Sequence, residues 1–286
     1  MTGSGARPLE EPEPTGEPRT DGLRRLVAIV DRLRDPDGCP WDLDQTLESI
    51  APHHLEEAFE LVEAIESGDD PHTVEEAGDL LMGVVLLARV AEQAGRWSLA
   101  DVAEGVCRKL IRRHPHVFGD VHAETADQAL ESWERIKRKE REGKDQDQDA
   151  SALAGVPTAL PALQRANRVA QKALSAGFKW SDEGGALEKL REEVEELAAE
   201  IEPAGGEAER DAARLESELG DVLMAGAFLG TYLGIDPERA ARRALRRFEA
   251  RFRAMEGELG GTFEGRSLED MMGAWQRAKE RGIGKD

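Results

Sequence analysis

One arrangement of carboxylates occurs twice in this chain, and the duplication constrains the fold more than any other feature. The first copy reads LEEAFEL at 55–61, then EEAGDLL at 75–81; the second reads REEVEEL at 191–197, then ESELGDVL at 216–223. Each copy sets Glu-x-x-Glu on one segment and Glu-x-x-Asp on the next. The acids are Glu57, Glu60, Glu76 and Asp79, then Glu193, Glu196, Glu218 and Asp221. A spacing of three places two side chains on one helix face, a turn apart. Two such helices folded back on each other aim four carboxylates at one spot. Like charges so placed repel, and burial makes the repulsion worse. A hard, oxygen-seeking cation removes that penalty, and Mg2+ suits a site that keeps waters and recruits phosphates.

The similarity extends past the acids. GDLLMGVVLLA at 78–88 parallels GDVLMAGAFLG at 220–230, KLIRR at 109–113 parallels RFEAR at 247–251, and LESWERIK at 130–137 parallels MGAWQRAK at 272–279. The spacing between partners drifts from 136 for Glu57/Glu193 to 142 for Asp79/Asp221, which an insertion at PAGGEAERDAA after Glu202 explains. A period this long in two copies means a duplicated domain and not a solenoid of short repeats. Acidic runs are commonly solvated helix faces. Here the acids recur within one apolar frame, with matching cations and a matching terminal Trp, which favours a metal site.

The chain has 286 residues, enough for two domains with cores of their own. Asp plus Glu is 59 against 38 Lys plus Arg, a formal charge of −21. That balance argues against nucleic acid or an anionic membrane as the main partner, since both need a basic surface. A polyanionic substrate would have to be met by metal ions and a few local cations. Aromatics are sparse while Ala, Leu, Glu and Arg abound, and no β-branched run of period two occurs, so the expectation is all-α. The most apolar stretch, LLMGVVLLARVA at 80–91, is too short to span a bilayer and carries Arg89. Cys39 and Cys107 have no metal-ligand spacing and read as reduced thiols. With no secretory signal at the start, the expected location is cytoplasmic.

Along the chain, residues 1–20 are expected to be a disordered tail. Helices are expected at 23–34, 54–66, 74–94, 98–114 and 125–142. DPDGCPWD at 35–42 and SGDDPHT at 67–73 are expected to break them. Ser98 and Asp101 form a capping-box pattern. A linker is expected at 143–158. Helices at 160–177, 186–202, 211–233, 236–256 and 267–281 complete the second half, with Gly177 as a helix stop. The repeat predicts two tandem helical domains, 21–142 and 159–286, whose helix pairs pack against each other or against a second chain.

GCPWDLDQT at 38–46, LEEAFE at 55–60, EEAGD at 75–79 and KLIRRHPHVFGD at 109–120 together resemble the MazG nucleoside triphosphate pyrophosphohydrolases. The resemblance covers 23–142 closely and 160–280 more loosely. It implies two MazG-like domains, Mg2+ dependence (with Mn2+ as a possible substitute) and a homodimer. It also implies hydrolysis of normal or damaged NTP and dNTP to the monophosphate and pyrophosphate, as nucleotide-pool housecleaning. The eight acids would then hold metal, and Glu57 or Glu60, and Glu193 or Glu196, would handle the proton of the attacking water.

Lys109 and Arg113 share a helix face and would grip phosphate; Arg247 and Arg251 are their counterparts, with Arg247 departing from the expected Lys. Lys189, four residues before Glu193, is a further phosphate candidate; its first-half counterpart is His53. Trp133 and Trp275 either stack on the base, as the resemblance suggests, or pack between helices. His114 and His116 flank Pro115 and read as a helix stop, since Mg2+ prefers oxygen. A dUTP- or dCTP-preferring relative of the same architecture, or a non-catalytic adaptor retaining the acids, are the alternative readings.

Overall fold

The computed structural model describes residues 9–142, 151–201 and 211–284. Every regular element among them is an α-helix. The chain divides into two compact units, Met1–Gln146 and Asp147–Asp286.

The first unit contains α1 (Pro18–Leu33), α2 (Pro40–Asp44), α3 (Leu47–Ser67), α4 (Asp70–Gln93), α5 (Leu99–Arg113), α6 (Pro115–Phe118) and α7 (Ala126–Glu142). Its centre is the α3–α4 pair, with α1 against α4. Val30 from α1, Ile50 from α3, and Val85, Leu86 and Val90 from α4 form the core. Full burial of each stabilises the unit by roughly 1.5–3 kcal/mol.

The second unit contains α8 (Ala162–Ser175), α9 (Glu183–Ile201), α10 (Ala212–Tyr232), α11 (Pro237–Glu258) and α12 (Leu268–Glu280). Here α9 packs along α10, α8 covers α10, and α11 pairs with α12 around Met255, Leu259 and Ala274.

Several boundaries differ from the sequence reading for local reasons. Helix α1 begins at Pro18, inside the stretch expected as a tail, because proline suits a first helical turn. Asp21 fastens the segment before it, accepting from the Thr15 and Gly16 amides at 2.8 and 3.0 Å. Helix α3 begins at Leu47 and not after Pro52: Thr46 and Ser49 form a reciprocal capping box, and the helix continues through Pro52, which has no N–H to donate to the Glu48 carbonyl. The expected turn at 67–73 shrinks to Gly68 and Asp69. Gly68 takes the left-handed conformation at φ 74°, and Asp69 caps α4 by accepting from the His72 amide, so Pro71 enters the helix. The expected loop 35–42 contains the short α2, and α6 follows His114 directly. The capping box of Ser98 and Asp101 forms as the sequence indicates. Residues 143–150 of the expected linker and 203–210 of the insertion after Glu202 lie outside the described residues.

Candidate active site

In each unit the acids sit on the two helices that pack most extensively. Helix α3 carries Glu57 and Glu60, and α4 carries Glu76 and Asp79; α9 carries Glu193 and Glu196, and α10 carries Glu218 and Asp221. Carboxylate oxygens of Glu57, Glu60 and Glu76 lie within 4.8 Å of one another, as do those of Glu193, Glu196 and Glu218. Asp79 and Asp221 stand outside these groups. Asp79 is still near enough to act on Glu57 electrostatically.

The clusters are anchored by one buried acid each: Glu76 is 8% exposed and Glu193 is 7% exposed. Partial burial pushes the Glu57 carboxyl above the ordinary carboxylate range, and the charges of Asp79, Glu60 and Glu76 push it further. In the second cluster burial and then a hydrogen bond with Glu193 push Glu196 upward. Glu57 and Glu196 therefore retain a proton more readily than free carboxylates would, first because burial penalises their charge and then because of the acids beside them. All-oxygen donors within one ion's reach fit a hard divalent cation such as Mg2+ or Mn2+.

The groups beside the two clusters differ, and sequence reading missed half of this. In the first unit His72 Nδ1 lies 3.4 Å from Glu76 Oε1, and His72, Glu75 and Glu76 form a further group able to hold a metal. The four-residue step from His72 to Glu76 was the available signal. His53 is exposed, its Nδ1 3.9 Å from Glu56, with its ring edge-on to Trp41 at 6.0 Å. In the second unit Lys189 places Nζ 2.9 Å from oxygens of both Glu192 and Glu193.

The remaining predicted residues lie on other elements. Lys109 is exposed on α5. Arg113 turns onto α7, where it donates to Glu140, and its guanidinium lies 5.4 Å from the Trp133 ring; Lys137 covers the same ring at 4.4 Å. Arg247 shares a cavity of about 230 Å³ with Arg239 and Arg243 on α11. Arg251 donates to the Ile283 carbonyl at 3.1 Å. Trp275 packs on Phe248 with centroids 5.1 Å apart, beside the Met255 core. Trp133 and Trp275 thus both have protein partners in this state. His114 and His116 lie 5.6 Å apart, with His114 Nδ1 against the Leu110 carbonyl.

The loop before the first acids is held by Arg34, a residue that sequence reading passed over. Arg34 is 7% exposed. It donates to the carbonyls of Asp42 and Gln45 and, through Nε, to Gln93 Oε1 at 2.7 Å, while Gln93 Nε2 returns a bond to the Arg34 carbonyl at 3.1 Å. Gly38 is required there: a Cβ would fall on the carbonyl oxygens of Leu33 and Arg32.

Two all-helical units, each gathering carboxylates at one helix pair, describe a duplicated enzyme built on acid clusters. The MazG nucleotide pyrophosphohydrolase domain matches the chain twice, over residues 45–118 and 184–255, so both matches contain a complete acid set. The chain is 41% identical over 265 residues to the nucleoside triphosphate pyrophosphohydrolase of Escherichia coli K12, covering 91% of this chain and 98% of that protein. It is 38% identical over 260 residues to the nucleoside triphosphate pyrophosphohydrolase/pyrophosphatase MazG of Thermotoga maritima, covering 90% of this chain and 95% of that protein. A nucleoside triphosphate pyrophosphohydrolase of Mycobacterium tuberculosis is 37% identical over 177 residues, 61% of this chain. The chain belongs to the MazG nucleotide pyrophosphohydrolase family and is by that membership a hydrolase.

Proposed function

We propose that the protein hydrolyses nucleoside triphosphates, ribo- or deoxyribo-, to the monophosphate and pyrophosphate with Mg2+, clearing unwanted nucleotides from the cytoplasmic pool. The observation that carries this is the convergence of three carboxylates within 4.8 Å in each half of a member of this family. Glu57, Glu60 and Glu76 would hold the cation in the first half, and Glu193, Glu196 and Glu218 in the second. Asp79 and Asp221, one turn beyond, complete each set as repulsion is relieved. Bound there, Mg2+ supplies neutralisation of phosphate charge and a more acidic water.

The chain's own groups do the rest. One carboxylate not fully committed to the cation, Glu57 or Glu60 in the first half and Glu193 or Glu196 in the second, would orient the attacking water or take its proton. Lys109 and Arg113, and Arg247 and Arg251, supply positive charge for the phosphates once Arg113 leaves Glu140. Trp133, already flanked by cations, is the first-half candidate for contact with the base.

A homodimer is part of this reading. Helix α5 has no buried residue, and Val102, Val106, Leu110 and Ile111 leave an apolar stripe open along it. Such a stripe on a stable helix calls for a partner surface. Among the described residues no single helix is long and apolar enough to cross a membrane.

The test is pyrophosphate release from a full panel of NTPs and dNTPs, with Mg2+, Mn2+ or EDTA, alongside sedimentation equilibrium. Absence of metal-dependent release from every nucleotide would reject the activity, and a monomer at micromolar concentration would reject the dimer.

A further inference from the structure

The two acid clusters have unlike neighbours, and the difference follows from positions that the repeat itself pairs. Counting from the Glu57/Glu193 match, Lys189 corresponds to His53. Counting from the Asp79/Asp221 match, His72 corresponds to Arg214. In the second unit Lys189 Nζ sits 2.9 Å from the oxygen of Glu193, the buried acid of that cluster. Arg214 is turned away, pairing with Glu200 at 3.2 Å. In the first unit His53 faces Glu56, outside the converging acids, while His72 lies beside the buried Glu76.

These neighbours act oppositely toward a metal ion. An ammonium has three donors and no lone pair, so it can only compete for the carboxylate it touches. A neutral imidazole has a lone pair and can join the coordination. We infer that Lys189 is a resident counter-cation of the second cluster: it holds Glu193 in place without metal, and a divalent ion must displace it. The first cluster has no lysine or arginine at the matching place, and its neighbour His72 shares only Glu76 with it, in a separate group with Glu75. The two halves are therefore unequal metal sites, tight in the first and weakened in the second by its own lysine. Displacement also releases the ammonium at the moment the metal arrives, one helical turn from Glu193, where a triphosphate carried with the metal would meet it. The inference rests on the cation-site reading above.

The test uses Mn2+ as probe, with free ion read by electron paramagnetic resonance, on the full-length chain. The first cluster is silenced with Glu57→Gln and Glu60→Gln, and Lys189→Met is then added, which keeps an unbranched apolar stem and removes the charge. Mn2+ should bind the second cluster about two- to fivefold more tightly, the size expected when one partly exposed ion pair is removed. Lys189→Gln, checked by thermal melting for an intact fold, should act in the same direction. The reciprocal change is His53→Lys in a Glu193→Gln, Glu196→Gln background, which should weaken Mn2+ binding to the first cluster by a similar factor. Unchanged or weaker binding after Lys189→Met would overturn the inference while leaving the cation sites standing. If neither the wild type nor the silenced parent takes up Mn2+, the cation-site reading falls and this inference falls with it.

Discussion

Arg113 donates to one oxygen of Glu140 from both Nε and Nη2, at 3.1 and 2.7 Å, while Arg112 Nε takes the other oxygen at 2.6 Å. One carboxylate thereby joins α7 to two successive arginines of α5. The second unit has Gly282 at the matching position, and its Arg251 bonds a backbone carbonyl instead.

The two guanidiniums hold the Glu140 carboxyl down at about 2. A depressed carboxyl contributes stability that is complete above its ordinary value and is lost as pH falls through the folded value. Wild type should therefore melt above Glu140→Gln at pH 7. The gap should narrow as pH falls below about 4.5, where the unfolded carboxyl takes up its proton. Melting curves from pH 7 to pH 2.5 read this directly, and a gap that does not change with pH would refute it.

Glu57 gives the opposite sign. Its carboxyl is raised, so the folded chain holds that proton where the unfolded chain has released it, and stability falls as pH rises through the ordinary glutamate range. In EDTA at pH 7, Glu57→Gln should melt higher than wild type, and near pH 4 the two should converge. Adding Mg2+ at about 100 times its dissociation constant should stabilise wild type by about 2.7 kcal/mol. For a unit of this size that is several degrees, at roughly 2–4 °C per kcal/mol. Glu57→Gln should lose most of the first unit's share.

Each half can be silenced separately. Glu57→Gln and Glu193→Gln each remove one anionic oxygen with little change of shape. Loss of such a ligand should slow pyrophosphate release from its own half by at least about 100-fold, since even outer-shell partners of metal ligands are worth up to that much. If one half alone is active, one substitution abolishes release and the other leaves it near wild type. If both are active, each removes part. Release untouched by either would mean the carboxylates are wrongly assigned.

Arg34→Met should destabilise the first unit by about 3 kcal/mol, because it strands the buried carbonyl of Asp42 and the half-buried carbonyl of Gln45 and frees Gln93. The predicted signature is a loosened 38–45 loop with faster amide exchange, while α9 and α10 keep their protection. Equal loss of protection in both units would count against it.

The long helices were legible because they carry 3.6-residue apolar stripes and local start or stop signals, as at Ser98 and Gly177. Where boundaries moved, proline was involved: Pro18 and Pro71 enter the first turns of α1 and α4, and Pro52 lies inside α3. Three acids of each set were legible because i,i+3 spacing encodes a shared face; Asp79 and Asp221, expected at the same spot, stand outside. What stays hidden is contact between distant segments. Nothing in the string shows Arg34 bonding Gln93 across 59 residues, or Glu140 closing on Arg113 across 27. Such partners are set by packing, which single-residue patterns do not encode. The stacking alternatives for Trp133 and Trp275 likewise divide only in space, the first between cations and the second on Phe248.

Each carboxylate set lies within one antiparallel helical hairpin, and in the first unit only Gly68 and Asp69 separate its two arms. Contacts so close in sequence form fast and early, because little loop entropy is lost in closing them. A nascent chain can assemble its first carboxylate cluster before the second has left the ribosome. The duplication therefore sets two carboxylate-bearing hairpins on one polypeptide, each inside its own compact unit.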